Sequence, residues 1–391
     1  MNLRPIVEPS GALDDAQRTR YSRQIFLHGE EGQARVAASR VLVVGAGGLG
    51  SPALLYLAAA GVGTIGVIDH DVVDLSNLQR QVIHDFASVG SPKTTSAAAK
   101  VKALAPDVDV VEYGERLTED NAVELLSGYD VVLDGTDNFL TRYLVDAACS
   151  ELSIPEVWGS ILRYCAQISV FWTGGRAESF GVEAPGVCLR DLFPSPPPPG
   201  TTPNCGEAGV MGSLCGQVGS IMAGEALKLI TGVGDSLIGS VLTLDSLTNR
   251  YETIPLVGAA NRPAPLKGEQ LVSACDVSDA SQGSVPEANV TEVAVRLARG
   301  AKLLDVRDSS ERAICAIRPS IHIPLADILA DPAAAAKKLP DGDGPVYVYC
   351  LGGVRSMKAA KALAAEGVEV VNVTGGLKQW WLYVDQSMPR Y

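Results

Sequence analysis

The sequence predicts an α/β protein that combines a doubly wound parallel sheet with a second, smaller α/β domain. An apolar strand, RVLVVG, runs into a glycine-rich turn, a helix of small residues and a second strand, TIGVID, and this order begins a doubly wound sheet. Ala, Pro, Gly and Ser dominate 256–288, a composition typical of a linker. Helices and strands alternate again from 289 to 391. We therefore predict a first domain over 1–255, a linker over 256–288 and a second domain over 289–391.

The remaining elements follow from local patterns in chain order. The first domain opens with polar helices at roughly 12–36 and continues, after TIGVID, with strands at DVDVVEYG, YDVVLDG, IPEVWGS, AQISVFW and SVLTLD. The segment SLCGQVGSIMAGEALKLITG is a predicted helix with a glycine stop. Four consecutive prolines between 184 and 205 exclude regular structure and predict a long loop. The second domain has predicted strands at KLLDVRD, VYVYC and VEVVNV and predicted helices at VTEVAVRLARG and SMKAAKALAAEG.

Composition and charge limit the functions open to the chain. Its 391 residues are 47% hydrophobic and 20% charged, which is globular composition. The formal net charge of −13 argues against nucleic-acid binding, because that binding depends on neutralising phosphates with Lys and Arg. No apolar run approaches the roughly 18 residues of a membrane span, and the first residues lack the apolar core of a signal peptide. We expect a cytoplasmic protein without a nucleic-acid or membrane partner.

The turn after the first strand carries a nucleotide-binding pattern. Gly45, Gly47, Gly48 and Gly50 lie in a GxGxxG sequence, where glycines let the backbone approach a phosphate and the following helix offers free N–H groups. Asp69 ends the next strand, where a carboxylate can accept hydrogen bonds from ribose hydroxyls. The pattern predicts nucleotide binding without choosing between NAD and ATP.

Polar residues beyond these strands favour a triphosphate. Asn77, Arg80 and Gln81 follow in a polar loop, and Lys93 begins the next helical pattern. An enzyme that breaks a triphosphate needs cations there, because negative charge shifts towards the departing pyrophosphate. A hydride-transfer enzyme needs fewer.

A further polar pair follows the strand YDVVLD. Asp137 and Asn138 lie just past its end, where a carboxylate can hold magnesium together with water ligands. We therefore expect Asp137 to be the metal ligand and Asn138 to join it in the nucleotide site.

The motifs RYSRQI, GAGGLGSP, DHDVVDLSNLQRQ, SPK, DGTDN and PNCGEAGVMG resemble those of the MoeB/ThiF adenylyltransferases, which are relatives of the ubiquitin-activating enzymes. The resemblance covers roughly 12–255 and implies a Rossmann-like doubly wound sheet of the ubiquitin-activating type. It implies that Asp69 holds the ribose and that Asp137 binds magnesium. It also implies contacts to the ATP phosphates from Asn77, Arg80 and Lys93, with Gln81 as a helper.

The same resemblance implies a reaction and an assembly. The C-terminal glycine carboxylate of a small ubiquitin-like sulfur-carrier protein would attack the α-phosphorus of ATP, and a Gly-Gly terminus is thin enough to thread beside the phosphates. Arg23, in the RYSRQI motif, would reach the ATP bound to the partner subunit. A homodimer is therefore implied.

Two of the eight cysteines have predicted chemistry. Cys205 lies at the end of the proline-rich loop, before a glycine-rich helix, where exposure and a helix N-terminus favour a thiolate. The resemblance implies a transient acyl link or a persulfide relay for it. Cys350 ends the strand VYVYC and opens the loop CLGGVRS, whose backbone N–H groups and Arg355 can stabilise a persulfide anion.

The second domain resembles a rhodanese domain over about 289–391, with Asp305 and Arg307 fitting that pattern. Leu351 stands where such loops commonly carry a cation or a polar residue. Its loss of charge should weaken selection for a small anionic donor such as thiosulfate, which leaves a protein persulfide as the other expected donor.

A structural zinc is not expected. Many relatives in the MoeB/ThiF family bind zinc through two CxxC pairs. Here Cys188 begins the first pair, Asp191 occupies its second place, and LVGAANRPAP replaces the later pair. One thiolate and one carboxylate are a poor basis for a closed tetrahedral site.

The leading interpretation is therefore adenylation with ATP and magnesium, followed by sulfur transfer from a Cys350 persulfide to give a thiocarboxylated carrier. The alternatives are an NAD-dependent oxidoreductase with a fused sulfur domain and a non-catalytic binder of a ubiquitin-like protein. The destination of the sulfur stays open among molybdopterin, thiamine, cysteine, thiolated tRNA and secondary metabolites.

Overall fold

The computed structural model describes residues 4–196, 209–262, 285–340 and 344–391. The chain divides into two compact units, Met1–Ser278 and Asp279–Tyr391. Cys205 and the part of the predicted proline-rich loop from 197 onwards lie outside the described residues. The described part of that loop contains a short helix, Leu189–Leu192, so the prediction of no regular structure was wrong there, because the prolines that exclude it begin only after this segment. Contacts of the first unit continue to Arg262, past the predicted domain end at 255.

The first unit holds nine described α-helices, two short 3₁₀ helices (Leu75–Asn77 and Phe86–Ser88) and one eight-stranded sheet. The helices are α1 (Asp15–Arg20), α2 (Ser22–Ala38), α3 (Gly50–Ala60), α4 (Lys93–Leu104), α5 (Ala122–Leu126), α6 (Phe139–Leu152), α7 (Gly175–Ser179), α8 (Leu189–Leu192) and α9 (Gly212–Thr231). The strands are β1 (Arg40–Val44), β2 (Thr64–Ile68), β3 (Asp109–Tyr113), β4 (Val131–Asp134), β5 (Glu156–Leu162), β6 (Cys165–Phe171), β7 (Ser240–Asp245) and β8 (Arg250–Pro255).

The strand order of this sheet creates the position of the nucleotide site. The order is β3-β2-β1-β4-β5-β6-β7-β8, parallel from β3 to β5 and antiparallel beyond. Strand β2 is buried throughout and β1 along all but its first residue, as expected of apolar strands covered on both faces. The order reverses between β1 and β4, and ligands of doubly wound sheets bind at the carboxyl ends of the strands at such a point. The predicted fold class is confirmed.

The second unit is a smaller sheet with helices on both faces. Its described helices are α10 (Val290–Leu297), α11 (Ser309–Ile314), α12 (Leu325–Ala330), α13 (Pro332–Ala336), α14 (Val354–Ala365) and α15 (Gly376–Tyr383). Its strands are β9 (Glu287–Ala288), β10 (Lys302–Asp305), β11 (Ile321–His322), β12 (Val346–Tyr349) and β13 (Val370–Val373), in the order β11-β10-β12-β13-β9 and all parallel.

Strand β12 shows how that core is built. Val346 and Val348 pack into one apolar cluster, while Tyr347 and Tyr349 pack into another on the opposite face. This is the alternation that a strand buried on both sides requires. It also carries Cys350 to the carboxyl end of the central strand. Within the described ranges, no helix has the length and apolar character to cross a membrane.

Candidate functional site

The glycine turn, Gly45–Gly50, lies at the reversal of the first sheet. Gly45 has a φ of +92°, which glycine adopts without steric cost. A Cβ on Gly50 would lie 1.8 Å from the carbonyl oxygen of Gly45, so the turn closes too tightly for a side chain there. Helix α3 begins at Gly50, and its free N–H groups favour an anion at this end.

Asp69 follows β2 and faces this turn. Its Oδ2 accepts the N–H of Ala46 and its Oδ1 that of Asp71, both at 2.9 Å. The Nζ atom of Lys93 lies 2.9 Å from Asp71 Oδ2 and 4.0 Å from Asp69 Oδ2. Burial acts to raise the pKa of Asp71, but the hydrogen bond and charge of Lys93 outweigh it and lower that pKa. The structure thus brings Asp69 and Lys93 together beside the turn.

His84 is a residue of this site that sequence reasoning missed. Its Nε2 lies 2.9 Å from the carbonyl oxygen of Ala46, and its Nδ1 lies 2.9 Å from Ser96 Oγ on α4. The side chain is buried, and burial lowers its pKa. The sequence around His84 could not predict these contacts, because their partners, Ala46 and Ser96, lie 38 and 12 residues away in the chain.

The polar loop after β2 brings two more predicted residues to the turn. Gln81 Nε2 and Arg80 Cδ each lie 3.7 Å from the positions that a Cβ would take on Gly47 and Gly48, respectively. Gln81 is buried, and its Oε1 has no hydrogen-bond partner among the described residues. Asn77 uses its side-chain oxygen to cap the short helical turn that it ends. An orphaned acceptor beside the glycine turn fits a polar ligand.

The end of β4 contributes an acidic edge. Asp137 is exposed there, and Asn138 Oδ1 accepts the N–H of Thr141 at 2.8 Å, which caps α6. Asp134 is fully buried, and burial raises its pKa. Asp134 Oδ2 and Thr136 Oγ1 lack hydrogen-bond partners within the described ranges. These oxygen donors fit a hard cation such as magnesium, which prefers carboxylates and keeps several waters.

A second cluster of possible metal ligands lies just after β2. In the part of the chain that the structure describes, the ligand atoms of Asp69, His70 and Asp71 all lie within 4.8 Å of one another. Lys93 forms an ion pair with Asp71, and backbone N–H groups occupy the Asp69 carboxylate. We assign no metal to this group, because the Lys93 ammonium and the backbone N–H groups already occupy its carboxylates.

Arg23 makes no polar contact with the residues of the nucleotide site in the described parts of the chain. It is exposed on α2 and forms no hydrogen bond or ion pair with any described residue. Phe26 and Leu27, which follow it by three and four positions and share its helix face, are each 78% exposed. This face of α2 thus presents a cation and two large apolar side chains to solvent.

The position of the family's zinc site holds an ion pair. Asp191 accepts hydrogen bonds from Arg262 Nη2 at 2.6 Å and Nε at 3.0 Å, and from the N–H groups of Cys188 and Ala259 at 2.9 Å. Arg262 also donates to the carbonyl oxygens of Pro185 and Gly186. Burial raises the pKa of Cys188 to about 12. The residues present do not fit a zinc ion, because Arg262 and backbone N–H groups already occupy both oxygens of Asp191.

Cys350 follows β12 and is buried in the loop that it opens. Its Sγ accepts the N–H of Gly353 at 3.1 Å and lies 3.4 Å from Ser356 Oγ. Gly353 has a φ of +97° and precedes α14. Ser356 Oγ donates to Asn372 Oδ1 at 2.7 Å. The loop therefore directs the N–H of Gly353 at the sulfur, at the start of α14, and this arrangement suits a sulfur anion.

Arg355 does not act on this loop as an isolated charge. Its guanidinium forms a bidentate pair with Glu311, with N···O distances of 2.6 and 2.7 Å. The hydroxyl of Tyr391 donates to Glu311 at 2.9 Å and accepts from Arg307 at 2.7 Å. Arg307 in turn forms a fully buried pair with Asp305. The loop thus rests on a network in which carboxylates balance much of the positive charge.

Comparison with known proteins assigns the two parts of the chain to two families. Residues 21–265 match the ThiF family, and residues 289–382 match the Rhodanese-like domain. The probable adenylyltransferase/sulfurtransferase MoeZ of Mycobacterium tuberculosis (strain H37Rv) is 43% identical, covering 100% of this chain and 99% of that protein. Adenylyltransferase and sulfurtransferase MOCS3 of Mus musculus is 39% identical, covering 99% of this chain and 90% of its own length. Escherichia coli MccB, solved with MccA-N7isoASN, is 16% identical with a TM-score of 0.55 over 63% of this chain and 74% of that one, a likeness in fold alone.

A glycine turn at the switch point of a doubly wound sheet, together with a cysteine loop on a small parallel sheet, defines an enzyme class that couples nucleotide-dependent activation to sulfur transfer. The chain belongs to the ThiF family and carries a C-terminal rhodanese-like domain. The family, the fold and the two-activity enzyme expected from the sequence are confirmed.

Proposed function

We propose that the chain adenylates the C-terminal glycine of a small ubiquitin-like sulfur-carrier protein and then sulfurates it from a persulfide on Cys350. The observation that carries this proposal is that one chain holds both sites. They are a glycine turn with Asp69 and Lys93 beside it, and a buried thiol whose sulfur accepts the N–H of Gly353. The names of the full-length relatives support adenylation over the hydride transfer of an oxidoreductase.

At the nucleotide site, each group has a proposed contact. Asp69 would accept the ribose hydroxyls, and the N-terminus of α3 would face the phosphates. Lys93 and Arg80 would balance the charge that moves onto pyrophosphate as it leaves, and the amide of Asn77 would donate a hydrogen bond to a phosphate oxygen. Gln81 Oε1, which has no hydrogen-bond partner among the described residues, would accept from a donor group of the nucleotide. The Nζ atom of Lys93 lies 2.9 Å from Asp71 Oδ2, so Lys93 would exchange this partner for a phosphate.

Magnesium fits the end of β4. Asp137 would be its protein ligand, with Asn138 and the open oxygen of Asp134 close by in sequence. When bound, the ion would draw negative charge from the phosphates. The chain's own part is to present an exposed carboxylate at the edge of the sheet where the nucleotide binds.

At the sulfur site, a donor persulfide would pass its outer sulfur to the Cys350 thiolate and leave as a thiolate. The outer sulfur of the Cys350 persulfide would then form a bond to the acyl carbon as AMP leaves. A thiolate would then attack the Cys350 sulfur and break the remaining S–S bond, which releases the thiocarboxylate and leaves a disulfide between that thiol and Cys350. An external thiol reductant would restore both thiols. Cys205 is a candidate for the attacking thiol or for an earlier acyl link.

We also propose a homodimer. Arg23 shares an exposed helix face with Phe26 and Leu27, which supports a partner surface at this cation. Large apolar side chains are exposed along the loop that carries Asn77 and Arg80. They are Val72, Leu75, Val82, Phe86 and Val89. Sedimentation of the wild type should give a dimer, and Phe26→Glu should shift it towards a monomer.

A structural zinc is not part of the proposal. Arg262 joins Asp191 to two backbone carbonyls, so it ties together the two segments that a zinc ion would otherwise join. The guanidinium provides this tie through fixed, directional donors.

The experiment that tests the function is ATP–pyrophosphate exchange with magnesium and a Gly-Gly-ended carrier. Asp137→Ala should abolish carrier-dependent exchange, while Asp120→Ala, which removes another exposed aspartate, should leave it unchanged. An absence of exchange in the wild type with every such carrier would overturn the proposal and favour a non-catalytic binder.

A further inference from the structure

Around the glycine turn, a chain of polar contacts closes into a ring through the backbone of α4, which joins Lys93 to Ser96. The members of this polar ring are Ala46, Asp69, Asp71, Lys93, Ser96 and His84. Five of them belong to the glycine turn, the end of β2 and its following residues, or α4. His84 completes the ring from the polar loop, and the proposed function gives it no role.

The peptide group of Ala46 is held from both sides. Its N–H donates to Asp69 Oδ2 and its carbonyl oxygen lies 2.9 Å from His84 Nε2. A carbonyl oxygen only accepts, so Nε2 carries the proton. In the neutral ring, Nδ1 then accepts from the hydroxyl of Ser96 at 2.9 Å. Both ring nitrogens are therefore used, one on the turn and one on α4.

Ser96 lies one helical turn after Lys93 on α4, so the position of the ring of His84 fixes Lys93 relative to Ala46. A nucleotide would affect the contacts of Asp69 and Lys93 differently from those of His84. A ribose would compete for Asp69 and a phosphate for Lys93, which loosens their contacts with Ala46 and Asp71. His84 is only 6% exposed, and its partners are a backbone carbonyl and a buried hydroxyl. Its contacts can persist while the others are exchanged.

We propose that His84 is a positioning residue of the nucleotide site: it holds the glycine turn at a fixed distance from the helix that carries Lys93, before and after ATP binds. This inference rests on the proposed function, because it assumes that ATP occupies the turn. The turn and Lys93 belong to different segments of the chain. If His84 already holds them together, less of the binding energy of ATP is needed to order the site.

The test compares two substitutions at His84 in the full chain. His84→Leu removes both hydrogen bonds, whereas the amide of His84→Gln can donate to Ala46 and accept from Ser96. In ATP–pyrophosphate exchange, His84→Leu should raise the KM for ATP about ten-fold with kcat within about two-fold. His84→Gln should recover most of that loss. Ser96→Ala, a smaller change that removes one of the two bonds, should raise KM about three-fold.

His322→Leu provides the matched control. His322 Nε2 lies 2.7 Å from the backbone carbonyl of Arg307 in the second unit, so the variant deletes the same kind of bond away from the nucleotide site. It should leave the KM for ATP unchanged.

The possible results distinguish a failure of the proposed function from a failure of the role proposed for His84. A wild type that fails to bind ATP in a direct titration overturns the proposed function and this inference with it. A wild type that binds ATP, with unchanged KM in both folded His84→Leu and Ser96→Ala, overturns the inference alone. A loss confined to kcat also overturns it, because a positioning role predicts weaker binding. If His84→Leu does not fold, an unchanged KM in Ser96→Ala is sufficient to overturn it.

Discussion

The glycine turn of the first unit and the Cys350 loop of the second both suit an anion. They differ in whether the polar groups around them have partners within the protein. At Cys350, the surrounding polar groups find partners inside the unit: Ser356 with Asn372, and Arg355 with Glu311. Near the glycine turn, buried oxygen atoms remain without hydrogen-bond partners among the described residues. These are Gln81 Oε1, Asp134 Oδ2 and Thr136 Oγ1.

The difference follows from what each site holds. A persulfide is one sulfur atom on a covalent anchor, so the chain itself can supply its whole cradle. A nucleotide arrives and departs as a multiply charged molecule, so its site must keep polar groups ready for it. Buried acceptors without hydrogen-bond partners cost stability, and a nucleotide that supplies donors can recover that cost.

The largest effect should come from removing the covalent anchor. Cys350→Ser deletes the sulfur nucleophile, so formation of the thiocarboxylated carrier should fall to background, as read by mass spectrometry of the carrier. ATP–pyrophosphate exchange should persist, since the glycine turn lies in the other unit. Loss of exchange as well would contradict the division of labour between the two sites.

The second prediction concerns the nucleotide site at the glycine turn. Lys93→Met removes the buried cation of the glycine turn, and exchange should fall about 100-fold, in the range found when a charge-stabilising group is lost. Lys100 lies on the same helix, and its Nζ is 2.7 Å from Asp85. Because Lys100→Met breaks only an exposed ion pair, it should leave exchange nearly unchanged. Equal losses in the two variants would point to damage to α4 rather than to phosphate contacts.

The third prediction concerns stability rather than activity. Arg262→Met leaves the carboxylate of Asp191, whose side chain is 1% exposed, without its charged partner. Removal of one partner from a buried pair should lower the free energy of unfolding by about 3 kcal/mol, measured by urea titration. Arg250→Met, in the exposed pair with Glu252, should cost less than about 1 kcal/mol.

Metal analysis sharpens this third prediction. The purified wild type should contain no stoichiometric zinc, and a chelator should not change its unfolding. One zinc per chain, with destabilisation by the chelator, would show that the segments around Asp191 and Arg262 do not replace the metal.

The fourth prediction returns to the closed network under Cys350. Tyr391→Phe keeps the ring against Trp381 but removes the hydroxyl shared by Glu311 and Arg307. The free energy of unfolding should fall by about 1 kcal/mol. Sulfur transfer should slow a few-fold, because Glu311, the partner of Arg355, loses one of the hydrogen bonds that hold it in place. Tyr383→Phe, at a position 67% exposed, should change neither quantity.

The sequence predicted what depends on neighbours in the chain. A β-branched strand followed by a glycine turn and a helix locates Asp69, and the strand VYVYC locates Cys350, because each pattern is complete within a few residues. Strand β8 was not predicted. All six of its residues are exposed, so it has no apolar alternation to reveal it.

Contacts between distant segments were not predictable in this way. His84 reaches Ala46, Arg262 reaches Asp191, and Tyr391 reaches Glu311. Each joins residues that only the folded sheet brings together, and no local spacing encodes them. The sequence could indicate that Asp191 disrupts a zinc pair, but not that Arg262 would become its partner.

The smallest effect should be a pH dependence of the first unit through His84. Burial lowers its pKa and the charge of Lys93 adds to this, against the opposing effects of the Ala46 carbonyl, Asp69 and Asp85. An unfolded histidine titrates near pH 6.5. Because the folded pKa is lower, the unfolded chain binds more protons below that pH, and stability is lost as the pH falls towards the folded pKa. His84→Gln cannot titrate, so its unfolding free energy should vary less with pH below about 6.5. The same slope in variant and wild type would mean that other groups control acid sensitivity at the glycine turn.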